Sequence, residues 1–153
     1  MKVKPPLRSE SDRSAMLEGV ASGVIDVIVS GHDPQAADTK RQPFAQAAFG
    51  AVGLETLLPV ALGSHHDGRA SVSLVLKTLT AAPAKILGLN AGTLAKGTPA
   101  DLVLIDPEDP FTVRESELRS RARNTPFEGR SFHGRAQKTY VGGECVFDRK
   151  ARR

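Results

Sequence analysis

VIDVIVSGHDPQAADTKRQPFAQAAFGAVGLE, residues Val24–Glu55, is the stretch whose reading decides the fold. Val24, Ile25, Val27, Ile28 and Val29 make a short β-branched run, the pattern of a strand buried on both faces of a parallel sheet. The run stops at Ser30-Gly31-His32-Asp33-Pro34, where polar and turn-forming residues gather at the strand's C-terminal end. In α/β barrels the chemistry sits at that end of the strands. Residues 31–48 lack strong periodicity and predict a long loop, usually a functional or mobile element in a compact domain.

Upstream, Pro5-Pro6 imposes an extended entry. Ser9 or Ser11 caps a helix running to Ala21, with Met16, Leu17 and Val20 as its apolar stripe and Gly23 as its end. Downstream, Val52–Leu62 predicts a helix in which Pro59 marks a kink or an early stop. Gly63–Arg69 is expected to be a polar turn that exposes His65 and His66. Ala70–Leu79 predicts a second helix. Pro83 opens a short third helix as its first residue, and Gly88 closes it.

From Gly92 the pattern turns to β. Leu102–Ile105 predicts a strand ending at Asp106-Pro107, with Asp101 and Asp106 satisfying backbone groups at its ends. Gln137–Val141 and Glu144–Phe147 flank Gly142-Gly143, the signature of a hairpin with a two-residue turn. A boundary near residue 90 therefore separates a barrel-like part from a β-rich part.

At 153 residues the chain is long enough for a real core, and its 40% hydrophobic and 25% charged content is ordinary for a soluble globular protein. The formal charge of +4 comes partly from Arg149, Lys150, Arg152 and Arg153. No nucleic-acid reading module accompanies that charge, so no nucleic-acid partner is expected. Cys145 is the only cysteine, which precludes an internal disulfide and makes a reducing compartment the default. Its place in Glu144–Phe147 predicts a small core residue rather than a nucleophile. No secretory signal or membrane span is present in the sequence, so a cytoplasmic location with no membrane partner is expected.

Six blocks in order carry a resemblance: PPLRSESDR, DVIVSGHDP, KRQPFAQAAFGAVGLETLLP, AAPAKILGL, GTLAKGTPADLVLID and NTPFEGRSFHGRAQKTYVGGECVF. Together they resemble dihydroorotases of the multi-enzyme-complex type, in the amidohydrolase superfamily. The resemblance implies an α/β fold: the C-terminal fragment of a TIM-like barrel plus part of a small β-sandwich. Residues 1–90 would be the last barrel strand and outer helices, and 91–153 the C-terminal β-rich part of a composite sandwich. Complete dihydroorotases are far longer, so the chain is expected to be their C-terminal portion. Met1 would then fall inside what is normally one domain. One barrel strand cannot close a barrel, so the chain alone is expected to be marginal, oligomeric or dependent on a missing N-terminal half.

The implied activity is hydrolysis of a cyclic amide in pyrimidine biosynthesis, with dihydroorotate or carbamoyl aspartate as substrate. Zinc in the complete enzyme lowers the pKa of bound water, and an aspartate after the last strand moves the proton. Gly31 occupies that aspartate position in the S-D-H pattern, so no catalytic residue is expected in this chain. Gln35 replaces the second histidine of D-H-x-P-H, and Lys4 replaces an asparagine before the prolines. The metal-binding histidines are likewise absent, and no metal ligand or cofactor is expected for this chain alone. Candidate substrate-binding residues are His32, Asp33, Phe49 and Gly50. Phe49-Gly50 matches a loop whose backbone contacts the pyrimidine-like ring, while His32 serves either the substrate or a loop hydrogen bond. Asp33 is a distant substitute for the missing carboxylate. Lys40 and Arg41 either attract a substrate carboxylate or are solvated. His133 and Thr125–Gly129 are expected to be structural.

Two alternatives belong beside this. A dihydroorotase-like chain lacking catalytic residues resembles the non-catalytic scaffold subunits that partner aspartate transcarbamoylase. Allantoinases share the Thr125–Gly129 block.

Overall fold

A computed structural model describes residues 1–151, so Arg152 and Arg153 of the basic tail lie outside the described residues. The first helix, α1 (Glu10–Ala21), is fixed by a reciprocal cap. The Ser9 hydroxyl accepts from the Asp12 amide at 3.2 Å, and the Asp12 carboxylate accepts from the Ser9 amide at 3.1 Å. Two orphan donors of the first turn are satisfied together. Gly23, at φ +77°, ends the helix as expected. Of the predicted stripe, Val20 is buried, Leu17 is half-buried and Met16 faces solvent.

The β-branched run after α1 departs from expectation. Val24–Ser30 forms no strand, and only an isolated parallel bridge, His32 to Ala51, follows it. A strand buried on both faces needs a hydrogen-bonded neighbour, and none of the described residues lies alongside as a ladder. Ile28 alone finds the core, with its amide donating to Thr78 O at 3.2 Å. Val24 and Val29 stay 79% and 77% exposed, so the hydrophobicity that signalled a strand is left uncovered.

The long loop holds one short helical turn, α2 (Ala37–Lys40). A 3-10 turn, Leu54–Thr56, leads into α3 (Leu57–His66). Pro59 neither kinks nor stops α3. It is the third helical residue, where a backbone N–H has no intrahelical acceptor to lose. The helix consequently runs past Gly63, and His65 and His66 form its last turn instead of a polar turn. Helices α4 (Val72–Leu79, capped by Ser71) and α5 (Ala81–Ile86) follow. Pro83 is the third residue of α5 rather than the first, tolerated for the same reason. Gly88, at φ +65°, closes it.

Three antiparallel strands make one sheet in the order β1 (Leu102–Thr112), β2 (Ser131–Val141), β3 (Glu144–Asp148). β1 does not end at Asp106-Pro107. Its register breaks between Asp106 and Pro110, then resumes with Pro110 opposite His133. Prolines are tolerated there because β1 is an edge strand and the break is a bulge. β2 starts at Ser131, earlier than the hairpin pattern indicated. The Gly142-Gly143 turn is as expected, with φ +56° and +87°. Asp101 accepts from the Gly142 amide at 2.8 Å, and Asp106 from the Glu108 amide at 3.0 Å. Cys145 is exposed on β3, an edge strand, and is not a core residue.

Helices and sheet meet where α3 crosses β2. Leu62 and Val75 are fully buried, with Ala61 beside them and Ile28, Leu58, Val72 and Leu79 packed around. Among the described residues, no helix is long and apolar enough to cross a membrane.

Candidate active site

The bridge between His32 and Ala51 brings the two ends of the long loop together, and with them His32, Asp33, Phe49 and Gly50. Asp33 donates its amide to Ala51 O at 2.9 Å. Its carboxylate accepts from Gln35 Nε2 at 2.8 Å and lies against Gly50. A Cβ on Gly50 would fall 2.5 Å from Asp33 Oδ2, and the backbone there holds φ +113°. Glycine is required at 50 on both counts.

His32 Nδ1 accepts from the Gly53 amide at 3.1 Å and, more weakly, from the Leu54 amide at 3.4 Å. An accepting Nδ1 places the ring proton on Nε2. The loop-stabilising bond is therefore present, and Nε2 is the nitrogen left to face a ligand. The recess beside His32, walled by Val52, Gly53, Leu54 and Leu118, measures about 10 Å³. That is room for about one water molecule, not a pyrimidine ring.

Lys40 is neither a carboxylate trap nor solvated. Its ammonium donates to Ala48 O at 2.8 Å, Gly50 O at 3.0 Å and Lys2 O at 3.2 Å. All three of its protons are thereby engaged. Arg41 is exposed. The Phe49 ring lies 4.6 Å from Lys2 Nζ, a cation–π contact. Asn124 was not singled out from the sequence, yet it clamps the same loop. Its side chain accepts from the Gln35 amide and donates to Gly50 O, both at 3.2 Å. Only its place beside Thr125-Pro126 hinted at a fixed position.

Gly31 adopts φ +56°, and a Cβ built on it meets nothing within 4 Å. The position has space for a larger side chain but no donor atom. With Asp33 turned to Gln35 and His32 Nδ1 occupied, the residues here do not make a zinc donor set.

A larger groove, about 1010 Å³, opens between α3 and the sheet. Leu58, Phe111, Phe147, Arg119, Arg135 and Arg149 help line it. Arg135 forks onto Asp109 with bonds of 2.9 and 3.1 Å, and Gln137 adds a third at 2.9 Å. The Arg135 guanidinium holds the Asp109 carboxyl below the usual carboxylate range, helped by Gln137. Burial, and after it Arg135, pushes Arg149 down from its ordinary value.

Residues 25–147 match the sequence profile described as Amidohydrolase family. This chain belongs to that family. The chain is 44% identical over 146 residues to the dihydroorotase of Anaplasma phagocytophilum (strain HZ), covering 95% of this chain and 33% of that protein. It is 43% identical over 147 residues to the dihydroorotase of Anaeromyxobacter dehalogenans (strain 2CP-C), covering 96% and 34%. Among solved structures it superposes on the L-hydantoinase (dihydropyrimidinase) from Arthrobacter aurescens with a TM-score of 0.91 and 33% identity, covering 96% and 34%. The resemblance to dihydroorotases read from the six blocks is borne out, as is the α/β character of the fold. The chain spans about a third of the length of the curated relatives it matches.

Proposed function

We propose that this amidohydrolase chain is a portion of a dihydroorotase-like cyclic amide hydrolase of pyrimidine biosynthesis, acting on dihydroorotate or carbamoyl aspartate. The observation that carries this is the 44% identity to a dihydroorotase across 95% of the chain. Residues 1–90 would supply the last barrel strand and outer helices, and 91–153 part of a composite sandwich. His32, through Nε2, and the Asp33–Gly50 junction with Phe49 would form one wall of the substrate site. The remaining walls and the zinc ligands would come from outside these residues, as the single-water recess at His32 suggests. A cytoplasmic location fits a biosynthetic enzyme of this kind.

A second reading has its own support. With Gly31 at the aspartate position, the assembled protein would be a non-catalytic scaffold subunit partnering aspartate transcarbamoylase. One experiment separates the two. The DNA upstream of the Met1 codon is sequenced, and the longest in-frame protein is purified and assayed. Ring opening of dihydroorotate with stoichiometric zinc supports the enzyme. Absence of both, with co-elution of aspartate transcarbamoylase, supports the scaffold. Turnover of allantoin instead of dihydroorotate overturns both.

A further inference from the structure

Away from the loop site, four side chains from three elements converge at the C-terminal end of α3. One ligand atom from each of His65, His66 and Glu108 lies within 4.8 Å of the other two. The His133 ring, on β2, stands 5.4 Å from the His66 ring, and the His65 ring stands 5.3 Å from the same His66 ring. Consecutive helical residues seldom share a site, but these two lie three and four positions after Leu62, on the face that packs on β2. The β1 bulge between Asp106 and Pro110 aims Glu108 at them, and the Asp106 carboxylate pins the Glu108 amide at 3.0 Å.

A second observation bears on the chemistry. His65 Nδ1 is 3.1 Å from Ala70 O. A carbonyl oxygen only accepts, so Nδ1 carries the proton and the neutral ring keeps its lone pair on Nε2. A ligating histidine is commonly oriented in this way, by donating its other nitrogen to a backbone carbonyl.

We propose that His65, His66 and Glu108, with His133 as fourth ligand, form a binding site for a divalent first-row transition ion of the zinc class. Three imidazoles and one carboxylate suit that class and not calcium or magnesium, which favour oxygen ligands. Metal–nitrogen bonds of about 2.0–2.1 Å require the ligand atoms to draw closer. Rotamer changes suffice, since His66, Glu108 and His133 are exposed. The ion ties the end of α3 to the β1 bulge and β2, so it is a fastener rather than a reaction centre. The site shares no residue with the loop site and does not rest on the proposed function.

The test is Co²⁺ and Zn²⁺ titration of the purified chain, with Co²⁺ read by its visible d–d absorption. One equivalent of Co²⁺ should develop that absorption, Zn²⁺ should displace it, and the melting temperature should rise with either ion. His66→Ala should weaken binding at least tenfold, Glu108→Gln and His133→Ala by less, while His32→Ala leaves the stoichiometry at one. Since His66 and Glu108 are exposed, circular dichroism of these variants should match the parent. Absence of saturable binding to the parent overturns the proposal. So does binding that survives the double variant His65→Ala/His66→Ala, or a sulfur-to-cobalt band that vanishes in Cys145→Ser.

Discussion

Leu62 rests directly on the α-carbon of Gly134, so helix α3 and strand β2 meet backbone to side chain with no second side chain between them. A Cβ at Gly134 would collide with Leu62 Cδ1, and the glycine holds φ +99°. Gly134→Ala should destabilise the chain by about 1–3 kcal/mol through overpacking alone, with backbone strain adding to it. Leu62→Ala should cost about 2–5 kcal/mol by leaving a cavity. Combining the two should cost less than their sum, since the alanine methyl at 134 enters the space that Leu62 leaves. Urea titrations of the three variants measure this, and strict additivity would refute the contact.

The Asp109–Arg135 fork sets part of the acid sensitivity. The Asp109 carboxyl is held below its ordinary range in the folded chain, whereas unfolded aspartate titrates at about 3.9. A lowered folded pKa contributes stability that is complete above the unfolded value and is lost as pH falls through the folded one. Asp109→Asn should therefore cost about 1–3 kcal/mol at neutral pH and shrink toward no cost in acid. Thermal melts from pH 7 down to pH 2 would show the parent and variant curves converging.

At the loop site, Gly50→Ala drives a methyl into the Asp33 carboxylate at a backbone angle that L-residues avoid. The bridge from His32 to Ala51 should loosen, and amide exchange at Asp33 and Gly53 should quicken, while α4 and α5 stay protected. Asp33→Ala in the same background should restore only part of the protection, because φ at residue 50 remains positive.

Exposure of Val24 and Val29 predicts self-association. Light scattering across a concentration series should show mass increasing with concentration, and Val24→Lys/Val29→Lys should move the chain toward monomer. A parent chain that is monomeric and melts cooperatively when dilute would contradict this.

What the sequence revealed follows how local each cause is. The Ser9 cap, the Gly23 and Gly88 helix ends and the Gly142-Gly143 turn were legible because neighbouring residues determine them. Val24–Ser30 forms no strand here because its composition announces a partner strand that the described residues do not provide. Asp106-Pro107 reads as a strand terminus in the sequence because an edge position and a bulge are tertiary facts. That His65, His66 and His133 converge with Glu108 is not legible in the sequence for a related reason. No spacing rule links ligands drawn from a helix, a bulge and a strand. At the loop site, the structure brings His32 and Asp33, named from the end of the apolar run, beside Phe49 and Gly50, named from the family pattern, but the clamp by Asn124 and Lys40 has no such local signal.

Lys40 gathers three carbonyl oxygens from residues 2, 48 and 50 around one ammonium. An amine whose protons are all held this way is shielded from electrophiles, so acetic anhydride should label it far more slowly than exposed Lys96. Once acylated, it could no longer serve the three carbonyls, and the extended N-terminal segment around Lys2 would come away from the loop. Lysine acylation, natural or reagent-driven, thus reports on this loop as an all-or-none seal: intact chains resist it, and a chain modified at Lys40 has already opened.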